Sequence, residues 1–206
     1  KGLSKELERA LVYDWYPRIS LLDHFLNFDA DLEQFSRSAY GEAGDFTIEP
    51  YNFYPRRSAQ EVSLKLSREG RVGGLPVKVE KQISLLAKQA VIAIDYEVTN
   101  LGTETDEFWF GVEFNLSLLA AKAPDRYYRI KGAKSPMESK AEETAVQVVE
   151  IVDDWSKFGV SLELGKSATL WRFPIETVSQ SAAGFEKIYQ GSVIFPNWRF
   201  TLGPGQ

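Results

Sequence analysis

An all-β fold, a large antiparallel β-sandwich with a short N-terminal helix, is what this sequence of 206 residues predicts. Three observations carry the prediction. Apolar residues recur with period two through most of the chain after Phe46, clusters of Gly, Asn and Pro separate these runs, and no long helical periodicity intervenes. Successive side chains leave a strand on opposite faces, so alternation marks strands with one face turned to a core. About ten strands without crossover helices pack as a sandwich rather than as a doubly wound sheet.

In chain order, Ser4 is an N-cap for a short helical pattern ending at Leu11, and Asp14-Trp15-Tyr16-Pro17 stops it. Residues 1–12 read as the end of a linker or helical region, and residues 13–206 as a single β-sandwich domain. Asp29 to Arg37 is a second short helix or a loop. Val62, Leu64 and Leu66 then alternate with Ser63, Lys65 and Ser67, and Val77, Val79, Ile83 and Leu85 with Lys78, Glu80, Gln82 and Ser84. Ala90, Ile92, Ile94, Tyr96 and Val98 share one face of the next strand. Phe108, Phe110, Val112, Phe114 and Leu116 oppose Trp109, Gly111, Glu113, Asn115 and Ser117. Later strands are expected at Val146–Val152, Phe158–Leu164, Thr169–Phe173, Ile175–Gln180 and Ser192–Leu202. Glu69-Gly70, Gly73-Gly74-Leu75-Pro76, Asn100-Leu101-Gly102 and Leu164-Gly165-Lys166 are the turns between them. Lys131 to Thr144 reads as an exposed loop, and Trp155, Trp171 and Trp198 as core or sheet-packing residues.

Composition narrows the function. An apolar fraction of 44% supports a sizeable core. The net charge of −5 speaks against nucleic acid, which needs a basic footprint, and against an anionic membrane surface. No apolar run approaches the ~20 residues that span a bilayer. The chain has no cysteine, which removes disulfides, thiolate metal sites and thiol nucleophiles together. A cytoplasmic location is the expectation. Lys1-Gly2-Leu3 opens the chain without an initiator Met, and we read it as a piece of a longer protein.

Catalytic constellations are sparse. His24 is the sole histidine, no Gly-x-Ser-x-Gly elbow is present, and no residues have metal-ligand spacing, so no cofactor and no metal is expected. His24 reads as a structural or interface residue. The polar face of the strand near Glu113 is the carbohydrate-contact candidate: Trp109 as a stacking platform, with Glu113 and Asn115 to take hydroxyls. Asp95 with Glu97, and Asn197 with Arg199, share parities on other strands. Paired carboxylates of this kind serve acid–base work in glycosidases, but a merely solvated sheet face shows the same alternation.

The run Tyr13-Asp14-Trp15-Tyr16-Pro17-Arg18-Ile19-Ser20-Leu21-Leu22-Asp23-His24-Phe25 resembles the segment opening the C-terminal β domain of family-57 glycoside hydrolases, the α-amylase and 4-α-glucanotransferase type. Asp95-Tyr96-Glu97-Val98-Thr99-Asn100 and Phe110-Gly111-Val112-Glu113-Phe114-Asn115 are similar to later strands of that domain. The resemblance implies a galactose-mutarotase-like supersandwich that follows a catalytic barrel carrying the nucleophile and acid. It implies a non-catalytic module whose partners are that barrel and an α-glucan or oligosaccharide, with Arg18, Asp23 and His24 as interdomain contacts. Two alternatives stay open: a stand-alone aldose 1-epimerase using Glu113 or another carboxylate as base, and a pure carbohydrate-binding module. Mutarotases of this superfamily place their histidine in central strands, whereas His24 lies near the N-terminus.

Overall fold

The computed structural model describes Leu7, residues 11–181 and residues 184–206. The helix expected from Ser4 to Leu11 lies, save for Leu7 and Leu11, outside the described residues. Among those residues the elements are β1 (Leu22–Phe25), α1 (Leu32–Ser36), β2 (Asn52–Arg57), β3 (Glu61–Val72), β4 (Leu75–Leu86), β5 (Ile92–Asn100), β6 (Asp106–Leu116), β7 (Arg126–Ile130), β8 (Ala133–Pro136), β9 (Ala141–Asp153), β10 (Phe158–Ser181) and β11 (Gly184–Leu202). They form a seven-stranded sheet, ordered β1-β6-β11-β10-β9-β7-β8, and a four-stranded sheet, ordered β2-β3-β4-β5. The chain divides into two compact units.

The first unit takes in the described residues as far as Asp23, then Phe28–Gly41 and Phe110–Trp198. Its core gathers Tyr128, Ile130, Met137, Val146, Val149, Ile151, Leu170 and Ile194. Three strands expected at Phe158–Leu164, Thr169–Phe173 and Ile175–Gln180 are one long strand, β10. Gly165 falls in a register irregularity between Glu163 and Ala168 against β9, and Pro174 lies beside a second one, at Ile175/Glu176 against β11. Bulges let a strand bend and carry a residue that cannot donate to the ladder, so it continues where local punctuation suggests a stop.

Lys131 to Thr144 is likewise not an open loop. Ala133–Pro136 pairs with β7, Tyr128 lying opposite Ser135. The two-residue turn Lys131-Gly132 has φ of +48° and +79°, the signature of a type I′ hairpin whose twist matches its flanking strands. Met137, just beyond, is fully buried.

Gly111 on β6 answers a packing need. A Cβ built there would sit 2.2 Å from Cζ of Phe195, whose ring is itself fully buried. Gly111→Ala is therefore expected to destabilise the chain by about 1–3 kcal/mol as an overpacked site, which urea unfolding measures; an unchanged midpoint would show that the Phe195 ring can move aside.

The second unit is His24–Asn27, Glu42–Trp109 and Arg199–Gln206. Its four-stranded sheet has the expected alternation, with Leu64, Ile83 and Ile94 in one cross-strand row and Lys65, Gln82 and Asp95 in the next. The turn Gly73-Gly74 joins β3 to β4 with φ of +57° and +91°, as the hairpin reading requires. Glu69-Gly70, by contrast, lies within β3 rather than at a turn. Val77 and Val79 are fully buried, and Phe25 packs on Phe46 and Phe108 at ring separations of 5.2 and 6.3 Å.

On the sheet's other face, Lys65 and Lys78 reach Glu80 at 2.8 and 2.9 Å. Hydrogen bonds from these two ammonium groups hold the Glu80 carboxyl at about 2, against an ordinary 4.5. A carboxylate depressed in the fold contributes stability above its unfolded value and loses it as pH falls through its folded value. Glu80→Gln is expected to flatten the acid arm of the stability curve between pH 4.5 and about 2. Thermal unfolding across that range checks it, and an unaltered slope would assign the acid sensitivity to other carboxylates.

Candidate functional site

The segment before β1 is stitched along β6. Leu21 N–H donates to the Glu113 carbonyl at 2.7 Å, and Ser20 Oγ donates to the Asn115 carbonyl at 2.8 Å while accepting from Asn115 N–H at 2.9 Å. Asn115 Nδ2 closes the seam on the Ile19 carbonyl at 2.9 Å. Leu21 takes a left-handed φ of +66°, a conformation costing an L-residue roughly 1–2 kcal/mol, and these flanking bonds hold it there.

Arg18 is thereby placed in the interior of the first unit. Its Nε donates to Asp14 Oδ1 at 2.8 Å, and Nη1 donates to Glu113 Oε1 at 3.2 Å and to Tyr16 Oη at 3.0 Å. Nη2 donates to Ser38 Oγ at 2.9 Å and to the Phe35 carbonyl at 3.3 Å. The rings of Tyr16, Phe173 and Phe35 surround the guanidinium at 5.2, 5.3 and 5.9 Å. Glu113, with 0% of its surface exposed, also accepts from Tyr16 Oη at 2.7 Å and from Asn115 Nδ2 at 2.8 Å.

Burial, reinforced by the adjacent Glu113 charge, drives the Tyr16 phenol well above its ordinary value, so it stays a neutral donor. Burial alone would weaken the Arg18 charge, but Glu113, Tyr16 and Asp14 outweigh it and leave the guanidinium above its ordinary value. The arrangement is a buried ion pair with its donors and acceptors matched on both sides. Its chemistry is positional: it pins the Asp14–Leu21 segment to β6.

The sequence put these residues in two different sets. Arg18 stood among the interdomain contacts, Glu113 and Asn115 among the carbohydrate contacts, and the fold joins all three in one cluster. Trp109 belongs to the second unit, is 6% exposed, and has the Arg199 guanidinium 3.9 Å above its ring, so a sugar would have to displace Arg199 to stack there. Asp23 and His24 are both buried. His24 Nδ1 lies 3.0 Å from Glu42 Oε2 and 3.3 Å from Thr47 Oγ1, while Glu42 Oε1 accepts from Phe25 N–H at 2.7 Å. Trp171 is buried as expected, but Trp155 stands 73% exposed in the turn between β9 and β10.

Other buried cations carried no role in the sequence reading, Arg172 among them. Arg172 donates twice to Glu143 Oε1, at 3.1 and 2.8 Å, and lies over the Tyr128 ring at 4.7 Å. Its signal was a charged residue inside the apolar run Leu170-Trp171-Arg172-Phe173. Asp14 and Tyr16 were also missed, although Asp14 stands at i,i+4 spacing from Arg18. Among the described residues no group of three or more His, Asp or Glu could hold a metal ion, and no helix is long and apolar enough to cross a membrane.

Two comparisons place this architecture. The chain superposes on a putative aldose 1-epimerase from Escherichia coli K12 with a TM-score of 0.59 over 95% of this chain and 78% of that one, at 14% identity. The fold is therefore all-β and galactose-mutarotase-like. The crystal structure of 4-alpha-glucanotransferase from Thermococcus litoralis matches more closely, with a TM-score of 0.76 at 30% identity over 97% of this chain and 28% of that one. In sequence, this chain is 36% identical to the 4-alpha-glucanotransferase of T. litoralis over 95% of its own length and 27% of that protein's. It is 32% identical to an alpha-amylase of Pyrococcus horikoshii over 93% of its length and 26% of that protein's. Residues 1–204 match the family described as Alpha-amylase/4-alpha-glucanotransferase, C-terminal, and the chain belongs to that family. It spans about a quarter of the length of these relatives.

Proposed function

We propose that this chain is the non-catalytic C-terminal domain of an enzyme acting on α-glucans, and that it supports the catalytic part of the parent chain. One observation carries the reading: residues 1–204 match a C-terminal family whose members continue for about three times this length beyond the matched segment. The chemistry of the site supports it. Glu113, the carboxylate best placed by sequence to act as a base, is engaged by Tyr16, Arg18 and Asn115. A general base must lie within hydrogen-bond reach of a substrate proton, and a carboxylate with no exposed surface does not. The likeness to an aldose 1-epimerase is one of fold.

Removal of this region from the parent is the test. A truncated parent is expected to lose thermal stability and activity on maltooligosaccharides, and to regain both when this chain is added in trans. A truncated enzyme as stable and active as the whole one would overturn the proposal.

A further inference from the structure

The four-stranded sheet has a polar face and a mainly apolar face that also carries Arg68 and Lys81, and the apolar side chains of that second face are covered over only part of its length. Val77 and Val79 on β4 are fully buried. Farther along the same face, the cross-strand row Val62, Leu85 and Ile92 stands exposed, and the row beside it, Leu64, Ile83 and Ile94, is half-buried. Phe53, on the edge strand β2, extends the surface. Phe53 is 68% exposed, Ile92 58%, Val62 47% and Leu85 46%. Neighbours in these rows lie about 5 Å apart, so the residues make one contiguous patch rather than scattered exposures. The opposite face carries Ser63, Lys65, Gln82 and Asp95, so the sheet already has a side suited to water.

Contiguous apolar patches of more than a few hundred Å² mark interaction surfaces in soluble proteins. We propose that this end of the sheet is the seat of an apolar surface on the remainder of the parent polypeptide, an inference that rests on the C-terminal-domain reading above. About three quarters of each relative lies outside the segment matched by this chain. Interfaces between domains of one chain typically bury roughly 600–1,500 Å², a scale that a patch on four neighbouring strands suits. On β3, β4 and β5 these two rows hold no charged side chain, so the occupant is recognised by shape and apolar character. Charge enters at their ends, at Arg57 opposite Val62 and at the buried Lys81 in the row of Phe53, whose ammonium lies over the Tyr51 and Tyr96 rings at 4.7 and 5.8 Å.

Thiol labelling in the full-length parent tests this, and it is clean in this region because the chain carries no cysteine of its own. Val62→Cys and Ile92→Cys each place a small apolar thiol on the exposed row, and Asp95→Cys places one on the exposed polar face. Maleimide is expected to label the first two at least about tenfold more slowly than the third in the assembled parent. Equal rates at all three sites would overturn the assignment, while leaving the truncation test of the C-terminal-domain reading unaffected. Protection that disappears on dilution, as the parent dissociates from a second copy, would overturn it too, by assigning the face to self-association. A parent that is unharmed by truncation, yet protects Val62→Cys and Ile92→Cys, would break the supporting-domain reading and leave the covered face standing.

Discussion

Replacing Arg18 by alanine is expected to destabilise the chain by about 3–5 kcal/mol, because it leaves the Glu113 carboxylate buried without its cation. The loss also removes donors to Asp14, Tyr16, Ser38 and the Phe35 carbonyl, and takes away the planar group that three rings enclose. Lysine at the same position keeps the charge but not the flat, forked donor set, so Arg18→Lys should recover only part of the loss. The pair is best measured as a cycle. Adding Glu113→Gln to Arg18→Ala is expected to cost much less than the sum of the single changes, since each change alone leaves the other group without its partner. Urea unfolding of the four proteins gives the coupling. Additive losses would mean that the two groups act independently, and that the 3.2 Å contact between them carries no energy.

Phe35→Ala is expected to cost a similar amount, about 3–5 kcal/mol, through the cavity it opens. Helix α1 is a single short element whose start is fixed by a capping box. Asp31 Oδ1 accepts from Gln34 N–H at 2.7 Å, while Gln34 Oε1 accepts from Asp31 N–H at 3.2 Å. The box aims the Phe35 ring inward, where it stacks on Phe195 at 4.3 Å and meets Tyr40 and Trp171 at 4.8 and 5.6 Å. So short a helix has little stability of its own, and the buried ring is what holds it in place. Phe53→Ala, at an exposed ring, should stay within about 0.5 kcal/mol in this chain and serves as the control. Equal losses at Phe35 and Phe53 would contradict the packing described for Phe35.

How legible the fold was in the sequence depended on the range of the interaction. β3, β4 and β5 follow from alternation plus the Gly73-Gly74 turn, because both signals are local. β10 was not legible as one strand, since Gly165 and Pro174 read as stops when taken alone. Only their pairing partners on β9 and β11 show that the ladder passes through bulges at both places. Lys131-Gly132 misled for a related reason: a lysine with positive φ is rare enough that the pair did not read as a hairpin turn. In the site, Arg18, Glu113 and Asn115 each stood out by residue type. That Arg18 and Glu113, separated by 95 positions, form one cluster is a tertiary fact with no local signature. The same holds for Trp109, whose alternation suggested an open platform and whose ring instead lies under Arg199.

Product analysis of maltoheptaose incubated with this chain alone reads most directly whether the domain has chemistry of its own. With Glu113 buried and engaged by Tyr16, Arg18 and Asn115, the substrate is expected to be recovered unchanged at every time point. Shorter or redistributed glucans formed by the unaltered chain, and lost with Glu113→Gln under conditions where that variant stays folded, would contradict a purely structural role for the Arg18–Glu113 pair.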